Sequence, residues 1–172
     1  MIRGDTSMSP QRARGFLAES RFFYLANVPP DPKSPPPRGF IRVEQAKPIA
    51  DVRGIDGFVY HYRGASSTTP RRIPVQLKNG VVASTPFNMT HCGLRVPIIT
   101  ISGDMSQFNM FERIRRLLDV HERYRYVYDE RHILNIERNR PTAGELEVVE
   151  LIERSRNAFE FKPLVPYQSV LA

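Results

Sequence analysis

The stretch Leu94–Glu122, LRVPIITISGDMSQFNMFERIRRLLDVHE, holds the two plainest elements of the chain. Leu94–Ser102 is the most apolar strand signal in the sequence, interrupted by Pro97. Gly103 and Asp104 end it. Asp104 can cap a helix, with Gln107 three residues on to complete a capping box. Phe108, Phe111, Ile114, Leu117 and Leu118 then recur at helical spacing, while Asn109, Glu112, Arg113 and Arg116 take the other face. This pattern predicts a helix from about Met105 to about Glu122 that packs its apolar stripe on a sheet.

Upstream, strands are predicted at Phe40–Gln45, Phe58–Gly64 and Ile73–Leu77, all rich in β-branched and aromatic residues and bounded by Gly or Pro. Pro74 marks the last of these as an edge strand or a strand start. Asn79-Gly80 is a two-residue hairpin signal, with Val81–Ser84 as the return strand. Downstream, Tyr124–Asp129, Ile133–Ile136, Leu146–Glu153 and Phe159–Val165 also read as strands. For Leu146–Glu153 the alternative is a helix, and the carboxylates at 147, 150 and 153 do not decide it.

Before Gly39 the chain changes character. Val28–Pro37, VPPDPKSPPP, can be neither helix nor central strand and reads as a semi-rigid extended linker. Arg12–Asn27 is apolar at Phe16, Leu17, Phe22, Phe23, Tyr24 and Leu25, as a short helix or a strand. It folds back on its own domain or docks on a neighbouring subunit as an arm. The expected organisation is residues 1–38 as N-terminal arm and proline-rich linker, and residues 39–172 as one domain. The expected fold is mainly β (α+β): an antiparallel barrel or sandwich with one packed amphipathic helix and an extended N-terminal arm.

The 172 residues suffice for one domain with arms, and 41% hydrophobic with 25% charged residues is ordinary for a soluble globular chain. No apolar run approaches the roughly 20 residues of a membrane span. Arg3, Arg12, Arg14 and Glu19 interrupt the N-terminal region, so no secretion signal is expected. One cysteine, Cys92, excludes an intrachain disulfide and a multi-cysteine zinc site.

Net charge is +7, carried by 21 Arg and 4 Lys. Arginine suits bidentate contacts to phosphate or carboxylate and protein interfaces, and a high-GC genome produces the same bias. The four histidines form no HxxxH or HxH pair, though His121 and His132 could meet in space as metal ligands. No dinucleotide, Walker, zincin or G-x-S-x-G motif occurs. Ser102-Gly103 fits a strand end better than a nucleophile turn, and Asp129, Glu130 and Glu137 fit a solvated charged tip. No catalytic residue, cofactor or metal ligand is nominated, and a non-enzymatic role is expected.

The order "ITISGDM", "FERIRRLLDVHERY", "YRYVYDERHILNIER", "VVELIERSRNAFEFKPLVPYQSVLA" resembles the small β-barrel proteins of bacteriophage tails, baseplates and related contractile injection machines, over about residues 72–172. Ile99, Ile101 and Gly103 match the family's strand, Phe111–Leu118 its helix and Asn157–Leu164 its last strand. The resemblance implies no catalysis and no cofactor. It also implies a virion-tail protein, made in the host cytoplasm, that forms or binds a ring with other tail and baseplate proteins through strand addition and arm exchange. Candidate interface residues are Phe16, Phe22, Phe23, Tyr24, Arg113, Arg116, Arg123 and Tyr126. The alternative is a nucleic-acid-binding face of Arg113, Arg116, Arg123, Arg125 and Tyr126, against which the nearby Glu112, Asp119, Glu122, Asp129 and Glu130 nearly balance the charge.

Overall fold

The computed structural model describes residues 9–62, 68–80, 87–89, 94–124 and 130–159. Their elements are α1 (Pro10–Asn27), β1 (Phe40–Gln45), α2 (Pro48–Val52), β2 (Gly57–His61), β3 (Arg71–Asn79), β4 (Phe87–Met89), β5 (Arg95–Ile101), α3 (Gln107–Tyr124), α4 (Glu130–Arg138) and α5 (Ala143–Phe159). The strands form one open mixed sheet in the order β1-β2-β3-β5-β4, with β3 and β5 parallel and the other pairs antiparallel. Of the described residues 51% are helical and 22% strand, which overturns the expected mainly-β barrel or sandwich. The protein is α+β.

Helices cover both faces of the sheet. Val59, Ile73, Val75, Leu77, Ile99 and Ile101 turn to one face and form a core with Ala18, Phe22 and Ala26 of α1 and Met110, Phe111, Ile114 and Leu117 of α3. Phe58 and Val96 turn to the other, with Ala50 of α2, Ile55, and Ile133 and Ile136 of α4. The alternation of Phe58 and Val59 between the two cores is the two-residue period of a strand. With both faces covered, the central strands are apolar at nearly every position: β5 reads RVPIITI.

Three local expectations hold. The helix after Gly103 exists as α3, β5 spans Arg95–Ile101, and β1 spans Phe40–Gln45. Others need correction. The cap of α3 is Ser106, whose Oγ accepts from the Asn109 N–H at 3.2 Å, so Asp104 lies outside the helix. Pro74 sits in the sheet interior; the ladder from β3 to β5 begins only at Gln76, past the missing N–H. Ile133–Ile136 and Leu146–Glu153, read as strands, are parts of α4 and α5. The return strand Val81–Ser84, most of Tyr124–Asp129 and nearly all of Phe159–Val165 lie outside the described residues. Gly80, which follows the last residue of β3, has φ 104°.

The extended N-terminal arm is likewise overturned. Ser9 caps α1 and Pro10 fills its first turn, an arrangement that starts helices. Phe22 is 1% exposed in the α1–α3 core, and its ring meets Phe23 edge-on at 5.5 Å. Phe23 packs over Gly57, where a Cβ would come within 2.9 Å of the ring and force it to shift. The proline-rich segment is docked, not a free spacer. Gln107 Nε2 donates to the Leu25 and Pro29 carbonyls at 3.1 and 3.4 Å, and Gln107 Oε1 accepts from the Asp31 N–H at 2.8 Å. Within the segment, Ser34 is buried.

Strand β1 is a sheet edge, and α1 closes part of it. Asn27 Nδ2 donates to the Val43 carbonyl at 2.8 Å, and Asn27 Oδ1 accepts from the Val43 N–H at 3.4 Å, as a neighbouring strand would. The same Nδ2 also donates to the Phe23 carbonyl. Asn27→Ala should cost about 1–2 kcal/mol, since it strips partners from two edge groups of β1. Urea unfolding of the two proteins checks this; an unchanged midpoint would mean that water replaces the amide at no cost.

Candidate functional site

The sequence-nominated residues do not converge. Phe22 is core, Phe16, Phe23 and Tyr24 are half-buried along α1, and Arg116 is exposed on α3. Arg113 is engaged internally, donating to the Thr100 carbonyl and reaching Met105 Sδ at 3.9 Å. Its neighbour Arg115 pairs with Glu112 and reaches the Pro35 carbonyl. The Arg113 contacts tie one guanidinium of the supposed nucleic-acid face to the protein itself. Arg123 lies in the last turn of α3, while Arg125 and Tyr126 lie outside the described residues, as do His91 and Cys92.

His121 and His132, which the sequence leaves free to meet, sit on α3 and α4, helices that pack on opposite faces of the sheet. His121 instead meets His61 of β2 edge-to-face, with ring centroids 5.7 Å apart. Among the described residues no group of three or more His, Cys, Asp or Glu side chains is arranged to hold a metal ion.

The most unusual chemistry lies where α5 crosses between the two helical layers, against both α1 and α2. Asp51 of α2, Asp56 before β2, and Glu19 of α1 are brought into one charged cluster with Arg156 of α5 and Lys78 of β3. Arg156 donates to Asp51 Oδ2 at 2.8 Å and to the Ala46 carbonyl at 2.7 Å. Asp56 Oδ2 accepts from the Leu77 N–H at 2.6 Å, while its backbone joins Ala46 to Val75. Asp56 thus acts as a buried splice between α2, β2 and β3.

Burial dominates the titration of this cluster. Desolvation, then repulsion from Asp56 and Asp51, pushes the Glu19 carboxyl up to about 8 against the pull of Arg156 and Lys78. Desolvation and the Asp51 charge push Asp56 up to about 7, opposed by the Leu77 N–H, Lys78 and Arg156. Burial also raises Asp51, with Arg156 and a hydrogen bond to Asp56 working against it. Burial therefore favours the protonated forms of Glu19 and Asp56. Sequence reading missed the cluster because Glu19, Asp51, Asp56 and Arg156 are scattered over the chain and no spacing links them.

On the other sheet face, Arg72 lies 4.4 Å over the Phe58 ring and binds Glu130 and Glu137 of α4, at 2.6 and 2.7 Å. The carboxylates at 130 and 137 therefore staple a helix to the sheet.

The sequence matches no protein-family model, and comparison with curated proteins and with solved structures returns no match. No described helix is long and apolar enough to cross a membrane.

Proposed function

We propose that this chain is a non-enzymatic structural subunit that works by binding other protein chains, as a component of a phage tail, baseplate or related injection machine. The observation that supports contact through this domain is apolar exposure on its outer α1–α3 layer. Phe108 is 50% exposed and Leu17 is 45% exposed, on two helices that pack together, with the exposed guanidiniums of Arg14 and Arg116 on the same pair. Large aromatic and aliphatic side chains bordered by arginine suit the centre of a protein interface. Contact then runs through a helical surface and not through barrel edges or an exchanged arm.

The double variant Leu17→Asp/Phe108→Asp tests this. Light scattering after size exclusion should show the wild-type chain in a particle with its tail proteins. The variant should be left as a folded monomer with an unchanged circular-dichroism spectrum, having lost at least about tenfold in affinity. A wild-type chain that stays monomeric beside tail proteins, or a variant that still assembles normally, would overturn the reading.

A further inference from the structure

We propose that α5 is a proton-linked latch, docked through the Arg156–Asp51 pair while Glu19 and Asp56 hold their protons and lifted from the domain when they are lost. The case begins with what holds α5 down. The other long helices insert side chains into the two apolar cores: α1 and α3 into one, α4 into the other. No residue of α5 belongs to either described core. Among its described side chains the buried ones are Ile152 and Ser155, and Ser155 Oγ donates back to the Leu151 carbonyl of α5 itself.

Charge anchors the helix instead, at both ends. At its start, Arg53 binds Glu145 at 2.8 Å and also donates to the carbonyls of Ile136 and Asn139. At its end, Arg156 binds Asp51 and the Ala46 carbonyl.

The two anchors respond differently to protons. The hydrogen bonds from Arg53, with help from Thr142, hold Glu145 down to about 2, so the first anchor stays ionised at any pH the protein meets. The second faces Glu19 from α1, Asp51 from α2, Asp56 from the turn before β2, and Lys78 from β3. With Glu19 and Asp56 protonated, one carboxylate meets one guanidinium. With all three ionised, three carboxylates crowd around one guanidinium, while the other cation, Lys78, stands exposed on β3. Attraction to Arg156 offsets part of this, but burial is the largest effect on each carboxyl and acts against ionisation. Hydration relieves it, and α5 is placed to admit water: none of its described side chains enters either core, whereas α1, α2 and β3 each contribute to one.

Hydrogen–deuterium exchange of the full chain at pH 5.5 and 8.5, corrected for the intrinsic pH dependence of amide exchange, tests the latch. Protection over Val149–Asn157 should fall about tenfold or more at the higher pH, while protection over Met110–Leu118 of α3 changes less than about twofold. Glu19→Gln, which cannot ionise, should suppress most of the response, and Arg156→Met should expose α5 already at pH 5.5. Should Glu19→Gln fail to fold, Asp56→Asn, which keeps an acceptor for the Leu77 N–H, takes its place. Equal loss of protection in α5 and α3, or a neutralised variant with the wild-type pH response, would overturn the proposal.

Discussion

Raising the pH from about 5 to about 8.5 should cost the domain on the order of 4 kcal/mol of stability through Glu19 alone. The sign follows from which state holds the proton. Unfolded, Glu19 ionises near its ordinary value of 4.5; folded, it holds its proton up to about 8. In that window the folded state binds more protons, so stability is full below 4.5 and is lost as pH rises through 8. Asp56 adds in the same direction between 3.8 and about 7. Local lifting of α5 limits the loss, because global unfolding need not bear strain that one helix can release. Urea midpoints across this pH range should fall steadily for the wild type and stay flatter for Glu19→Gln, leaving the variant the more stable protein at pH 8.5. Stability that rises from pH 5 to 8.5 would mean that Arg156 and Lys78 outweigh burial.

That carboxyl cluster is illegible in the sequence, while the element beside it is readable. The Val-Val and Leu-Ile pairs give Leu146–Glu153 its strand signal. A better signal lies just upstream. Thr142 and Glu145 form a reciprocal capping box, with the Glu145 N–H donating to Thr142 Oγ1 at 3.2 Å and the Thr142 N–H to Glu145 Oε1 at 3.0 Å. A T-x-x-E pattern directly after Pro141 announces a helix start more specifically than two adjacent valines announce a strand. Ile133 and Ile136 carry a similar lesson. Their spacing of three puts both on one face of α4, buried against the sheet, with Glu137 free to reach Arg72. Where short apolar runs sit among charges, the helical period and the caps outweighed β propensity. In α3 five apolar positions fixed the period, yet the first of them, Phe108, points outward. Periodicity locates a stripe but not where its partner ends.

The N-terminal segment carries the second large effect: Phe22→Ala should destabilise the domain by about 3–5 kcal/mol, the range for truncating a buried aromatic. A residue on an arm waiting for a partner would cost almost nothing in the isolated chain. Phe22 is 1% exposed, sits with Ala18 and Ala26 on the inward face of α1, and shares its core with Val59, Val75, Ile101 and Ile114. The small side chains one turn before and after it let α1 lie close to the sheet, so the cavity left by alanine has little room to collapse. Arg21 adds a polar tie on the same helix, its Nε donating to the Met105 carbonyl at 2.9 Å. Against a typical total of about 5–15 kcal/mol, such a loss takes away much of the domain's stability. Deleting residues 1–27 should be more severe, since it also removes the Asn27 clamp and uncovers the α3 core, and should give an unfolded or aggregated chain. Circular dichroism and urea midpoints of the two proteins decide the matter. A truncated chain that unfolds cooperatively near the wild-type midpoint would return residues 10–27 to the role of a detachable arm, and with it assembly by arm exchange.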